Sequence, residues 1–195
     1  MNDRPPKPRG EPTPNRRLLE NGVLGMLVFV FTEVMFFAGF ISAITIVKAE
    51  AVGGWPPPGQ PRLPVAETAV NTVALLVSGV LLVMAGRAFR RDQMQSKRWM
   101  LASIVLGTFF VGLQGREWIL LLAEGLTLTS STLGAFFYVI VGIHALHAIV
   151  ALCGLIWAWV KLRSGELNPA VFATIQVFWY FIVLLWPVLY VQVYL

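Results

Sequence analysis

The chain has 195 residues, of which 57% are hydrophobic and only 13% are charged, and its mean hydropathy is +0.72. Because a soluble domain carries about a quarter charged residues, this composition excludes an ordinary soluble globular protein. The net charge of +5 could suit nucleic acid. In a membrane protein, however, excess Lys and Arg mark the cytoplasmic loops, so we expect no nucleic-acid partner.

Long apolar stretches predict the fold class. A membrane span needs about 20 apolar residues to cross a hydrocarbon core of about 30 Å, and it must be a helix or part of a closed barrel. The stretches here are continuous rather than alternating at every second residue, which excludes a barrel. We therefore predict an all-α membrane protein, a bundle of five transmembrane helices. The single cysteine, Cys153, allows no internal disulfide and no Cys-x-x-Cys metal site.

In chain order, residues 1–20 come first and contain five Lys or Arg among several prolines. They predict a flexible polar tail on the cytoplasmic side. The five spans follow in residues 21–195, with Trp55-Pro56-Pro57-Pro58 in the first loop and Asn168-Pro169 opening the last span. Their predicted bounds are about 21–47, 67–88, 99–123, 132–160 and 170–194.

The distribution of basic residues predicts the orientation. The N-terminal tail and the loops after the second and fourth spans hold twelve of the fifteen Lys and Arg residues. The positive-inside rule therefore places the N-terminus in the cytoplasm and the C-terminus outside.

Ionisable residues within spans are costly and therefore mark candidate sites. At a rise of 1.5 Å per residue, Glu33 lies about 18 Å from the inner face, and His144 about 18 Å below the outer end of its span. Both fall in the middle third of the membrane and could meet in a hydrogen bond. Separate backbone or lipid partners for each remain an equal alternative.

Four other positions are singled out by their chemistry. Arg116 and Glu117 lie about 26 Å from the inner face, which favours an interfacial ion pair or a lipid-headgroup contact. His144 and His147 share one helix face, but one helix cannot supply both faces of a haem, and no Glu-x-x-His pairs suggest a di-iron site. Structural or lipid-binding histidines are therefore favoured over a redox centre. Asn71 can bond across a helix interface.

Five short motifs lie in order along the chain after residue 20. They are Thr32-Glu33-Val34-Met35-Phe36-Phe37, Trp55-Pro56-Pro57, Asn71-Thr72 with Ser78-Gly79, Gln114-Gly115-Arg116-Glu117-Trp118, and Phe136-Phe137 with Gly142-Ile143-His144-Ala145-Leu146-His147. In order and spacing they resemble subunit III of the haem-copper terminal oxidases, the cytochrome c oxidase family.

The last helix departs from the family pattern. Tyr180 and Val183 stand where many members carry His and Asp, so the polar role of that pair is lost or passes to the tyrosine hydroxyl. Longer members have seven helices, and we expect this chain to lack the first two, as in short bacterial forms. A partner must then close the family's lipid cleft, or it stays open. These departures keep open an accessory role beside a quinol oxidase or a nitric oxide reductase.

The resemblance implies a non-redox subunit that carries no haem or copper and no catalytic centre of its own. It would pack beside subunits I and II, which hold those cofactors, in a bacterial inner membrane and in a larger respiratory supercomplex where one exists. It would bind phospholipid and support proton uptake and turnover stability. Glu33 would be the cleft carboxylate, with His144 or His147 as partner, and Arg116 would bind headgroups. An independent transporter or scaffold is the competing class, disfavoured by the absence of internal repeats.

Overall fold

The computed structural model describes residues 16–51, 61 and 63–195, with side chains from Gly22 onward. Within these residues all regular secondary structure is helical. The five helices are α1 (Arg16–Glu50), α2 (Val65–Ala88), α3 (Gln93–Ala123), α4 (Thr132–Arg163) and α5 (Pro169–Tyr194). Each contains a stretch long and apolar enough to cross a membrane. The predicted all-α bundle of five transmembrane helices is confirmed. The tail up to residue 15 and the Trp55-Pro56-Pro57 motif lie outside the described residues.

Polar caps extend two helices beyond their apolar segments. α3 begins at Gln93 rather than near Trp99 because the Asp92 carboxylate accepts a hydrogen bond from the Gln95 backbone N–H at 3.0 Å. At the start of α5, the Asn168 side chain accepts from the Ala170 N–H at 2.9 Å, just ahead of a proline in the first turn. The α1 backbone is likewise helical from Arg16 rather than from about residue 21.

The C-terminal ends of α3 and α4 close with the same glycine motif. Gly125 and Gly165 adopt φ values of 88° and 74°, the left-handed conformation that favours glycine. After α3, the N–H groups of Gly125 and Leu126 donate back to the carbonyls of Leu122 and Leu121 at 3.1 and 2.9 Å. This pattern is a Schellman motif, and it pairs carbonyls that the helix end would otherwise leave unbonded.

Helix α5 is the centre of the bundle, since it packs against α1, α2 and α4. Two glycines allow its close approach. A methyl group at Gly107 would lie 2.7 Å from the Trp179 ring, and one at Gly79 would lie 2.9 Å from a Val183 methyl. At Gly79 the small residue lets the backbones of α2 and α5 come together, while at Gly107 it makes room for the Trp179 ring of α5. Helix α1 packs chiefly on α5 and has the smallest buried share of the five spans, so it is an edge helix.

Interhelical hydrogen bonds fix the centre of the bundle. Ser78 on α2 and Ser103 on α3 each donate to the other's carbonyl, at 3.0 and 2.9 Å. The Trp179 indole on α5 donates to the Ser78 hydroxyl at 3.1 Å, and the Trp186 indole donates to Thr72 at 2.8 Å. Such bonds between α2, α3 and α5 set the register of the helices that carry the polar groups described next.

Candidate functional site

Glu33 of α1 lies against His147 of α4. Its Oε2 is 3.6 Å from His147 Nε2, and the two side chains are only 18% and 17% exposed. The rings of Phe29, Phe37 and Phe178 surround the imidazole, with centroids 6.1 to 6.2 Å away. An acid and a base are thus placed close together in largely hydrocarbon surroundings, at a separation slightly longer than a hydrogen bond.

His144 is not the partner of Glu33. Its side chain is fully buried in the bundle, where its ring stacks on Trp186 at 5.0 Å and touches Phe37 and Phe110 edge-on. A three-residue step rotates a side chain by about 60° and displaces it by about 4.5 Å, so the two histidines diverge. His147 points to the α1 side, and His144 points into the interior.

Glu117 is buried in a hydrogen-bonded cluster. It is only 3% exposed. Its Oε1 accepts from the Thr68 hydroxyl of α2 at 2.9 Å, while its Oε2 accepts from Gln114 Nε2 at 2.7 Å and from the Tyr194 hydroxyl of α5 at 3.4 Å. Gln114 also donates to the Tyr194 hydroxyl at 2.8 Å. This carboxyl therefore joins three helices rather than facing lipid headgroups.

Sequence reasoning missed the other members of this cluster. Gln114 lies one helical turn before Glu117, a spacing that places both side chains on the same face. Thr68 is in the first turn of α2 and Tyr194 ends α5, so both are at the same end of the bundle as Glu117. The place of Gln114 was predictable from its one-turn spacing to Glu117. The places of Thr68 and Tyr194 were not, because they depend on how the helices pack.

Arg116 makes an ion pair at the surface with Glu67. Its Nη1 lies 3.7 Å from Glu67 Oε2 of α2, and the two side chains are 63% and 66% exposed. Adjacent residues on a helix do not face each other, so Arg116 points outward where Glu117 points inward. Asn71 of α2 donates from Nδ2 to the Phe110 carbonyl of α3 at 3.2 Å, an interhelical contact.

Tyr180 lies beside a groove between α1 and α5. Its hydroxyl accepts from Gln176 Nε2 of the preceding turn at 3.3 Å. The groove encloses about 540 Å³ and, the tyrosine apart, is lined by apolar residues such as Val34, Phe37 and Leu185. Phe37 borders both this groove and the His147 ring, so the groove and the Glu33–His147 pair adjoin.

Within the described residues no three His, Cys, Asp or Glu side chains are grouped to hold a metal ion. Glu33 and His147 provide two such groups, and His144 is directed away from them. Two such groups fall short of the roughly four ligands of a structural metal site, so the arrangement is an acid–base pair.

Comparison with known proteins identifies the family. A sequence profile described as cytochrome c oxidase subunit III matches residues 15–195. The chain belongs to the cytochrome c oxidase subunit III family. A probable cytochrome c oxidase subunit 3 of Nocardia farcinica is 30% identical over 176 residues, covering 88% of this chain and 86% of that protein. The Corynebacterium diphtheriae cytochrome c oxidase subunit 3 is 29% identical with the same coverage. That of Lemur catta is 30% identical over 87% of this chain and 64% of its own length.

The resemblance drawn from the motifs is therefore confirmed. This subunit III is a multi-pass membrane protein and an accessory subunit associated with the haem-copper oxidase complex, which is an oxidoreductase. Five of its candidate residues take part in polar contacts and are buried or partly buried: Glu33, Asn71, Glu117, His147 and Tyr180.

Proposed function

We propose that this subunit III is a non-redox structural component of a respiratory cytochrome c oxidase. It packs beside subunits I and II, which hold the haem and copper, and has no catalytic centre of its own. It binds phospholipid, supports proton uptake and keeps the complex active during turnover. Its place is the bacterial cytoplasmic membrane, with the N-terminus in the cytoplasm.

The groove between α1 and α5 supports the lipid-binding role. Apart from Tyr180 its walls are hydrocarbon, and it lies between α5 and α1, the least buried helix. An acyl chain would pack its methylene groups against these walls through dispersion contacts. The basic residues around the α2–α3 turn would meet anionic headgroups at the cytoplasmic face: Arg87, Arg90, Arg91, Lys97 and Arg98.

The Glu33–His147 pair carries the proton-handling part of the proposal. Its atoms lie 3.6 Å apart in a shell of phenylalanine rings. A proton can move between carboxyl and imidazole while the site keeps a low net charge, which limits the cost of charge within hydrocarbon. The pair also borders the lipid groove through Phe37, so the lipid occupant can influence its environment.

Co-purification tests the assignment as an oxidase subunit. We expect the affinity-tagged chain to be isolated together with a haem-bearing partner. The absorption spectrum of the preparation should show the haem, and the preparation should contain copper in an amount comparable to the haem. A chain that is isolated alone after mild extraction would contradict the proposal. Haem bound to the separated chain itself would contradict its non-redox character.

Glu33→Gln tests the role of the pair in the assembled complex. We expect normal assembly but slower proton uptake and faster loss of oxidase activity during turnover. The matched control is Glu67→Gln, which alters an exposed carboxylate in the first turn of α2 and should leave both rates unchanged. Equal behaviour of the two variants would remove the proton-handling role and leave the subunit assignment intact.

Tyr180 and Val183 favour a second candidate, an accessory role in a quinol oxidase or nitric oxide reductase. These residues replace the His and Asp of many family members, and Tyr180 bonds only within α5, to Gln176, among the contacts described. The purified complex distinguishes the alternatives: oxidation of reduced cytochrome c by oxygen supports the first proposal, whereas oxidation of quinol alone by oxygen, or reduction of nitric oxide, supports the second.

A further inference from the structure

A second cavity lies between α3 and α4, apart from the α1–α5 groove. It has a volume of about 150 Å³. Much of its wall is hydrocarbon, contributed by Phe110, Val141 and Trp186 among others. Two polar side chains, Gln114 and His144, also line it.

Four buried polar atoms around this cavity have no hydrogen-bond partner within the part of the chain that the structure describes. They are Gln114 Oε1, Trp118 Nε1 and both ring nitrogens of His144. Gln114 is 97% buried and His144 is completely buried. Nearly all buried polar groups in proteins are hydrogen-bonded, so four unpaired atoms around one cavity indicate a partner other than the described residues.

The chemistry of these atoms defines the partner. The indole N–H is a donor, the amide oxygen is an acceptor, and a neutral imidazole offers one of each. The set is therefore balanced between donors and acceptors and carries no charge. An ion would find no countercharge there, and a hydrocarbon chain would leave all four atoms unpaired. Water fits, because a cavity of about 150 Å³ has room for a few molecules at roughly 30 Å³ each.

We propose that this cavity is a binding site for a small cluster of water molecules held by Gln114, Trp118 and His144. Gln114 connects the site to the Glu117 cluster, since its Nε2 donates to Glu117 Oε2 at 2.7 Å. A polar column thus runs from Thr68 and Glu117 at the end of the bundle, through Gln114 and the water, to His144 in its interior.

Hydroxyl-radical labelling by brief X-ray exposure tests the site in the assembled complex, because radicals form from bound water beside the side chains they modify. We expect severalfold more labelling of Trp118 than of Trp179. Trp179 is the reference for a dry indole, since it is fully buried, is bonded to Ser78, and does not line this cavity. Trp118 is partly exposed, so this comparison is read together with the cavity-filling variant below.

Ala145→Leu separates cavity water from solvent at the surface, because Ala145 lines the cavity and the larger side chain would fill it. We expect Trp118 labelling to fall severalfold while oxidase assembly is retained; if this variant does not assemble, Ala145→Val makes the same test with a smaller side chain. Trp118 labelling equal to that of Trp179, or unchanged by filling the cavity, would overturn the proposal. So would continuous acyl-chain density in a high-resolution map. These outcomes do not depend on oxidase activity, so they leave the proposed function to its own tests.

Discussion

Glu117→Leu removes the acceptor on which α2, α3 and α5 converge. The wild-type carboxyl accepts from Thr68, Gln114 and Tyr194 at 2.9, 2.7 and 3.4 Å, and leucine can accept from none of them. Side-chain hydrogen bonds between membrane helices average about 0.6 kcal/mol each, with a maximum of about 1.7 kcal/mol. Three lost bonds therefore destabilise the bundle by about 2 kcal/mol, a factor of roughly 30 in the ratio of folded to unfolded protein.

Glu117→Gln is the informative companion variant. The amide oxygen still accepts from Gln114, and the new amide N–H can donate to the Thr68 hydroxyl, which has a second acceptor in the Pro64 carbonyl at 2.8 Å. We therefore expect a loss below about 1 kcal/mol. Glu67→Leu is the control for removing a carboxylate, since its exposed ion pair with Arg116 contributes at most about 1 kcal/mol.

Reversible unfolding in mixed micelles measures all three variants as free energies of unfolding. The expected order of destabilisation is Glu117→Leu first, with Glu117→Gln and Glu67→Leu both close to wild type. If Glu117→Leu lies within about 0.5 kcal/mol of wild type, which is below the average for one such bond, the cluster does not hold the helices together. If the glutamine variant is as unstable as the leucine variant, the carboxyl acts through its charge instead of its hydrogen bonds.

Two further predictions concern other parts of the chain. Gly107→Ala should destabilise the bundle by about 1–3 kcal/mol, because its methyl group would lie 2.7 Å from the Trp179 ring, whereas Gly112→Ala meets open space and should be tolerated in the same unfolding assay. In the loop after α4, the hydrogen bond from Lys161 lowers the pKa of Glu166, so the pair's stabilising contribution is present at neutral pH and is lost as pH falls through that lowered pKa. Lys161→Gln should return the pKa of the Glu166 carboxyl toward its ordinary range, as read by carbon NMR titration; an unchanged titration curve would refute the assignment.

The helices were predictable because lipid imposes a simple rule on sequence. A segment about 20 residues long with few charges has to become a helix, and the five predicted spans each lie within an observed one. The start of α3 was harder to predict, because Asp92 caps the helix among charged residues and a hydropathy profile assigns such residues to a loop. A capping carboxylate is a local signal that averaging over an apolar window removes.

The polar contacts were harder to predict than the spans. Depth alone placed Glu33 level with His144, but the rotation of α4 decides that His147 faces it instead. Rotation about a helix axis depends on the packing of all five helices, and an almost uniformly apolar helix gives little indication of it from sequence. The rotation of α3 was unpredictable for the same reason. It directs Arg116 outward to its ion pair and its neighbour Glu117 into the bundle.

The edge position of α1 has a consequence for biogenesis. Helix α1 packs chiefly on α5, which follows it with three other helices in between, and Lys48 Nζ of α1 donates to the Gln192 carbonyl of α5 at 2.6 Å. Helix α1 must therefore wait in the membrane, unpaired with its main partner, until α5 has been synthesised. Quality control that recognises an unaccompanied α1 would thus detect chains in which α5 is missing or misplaced.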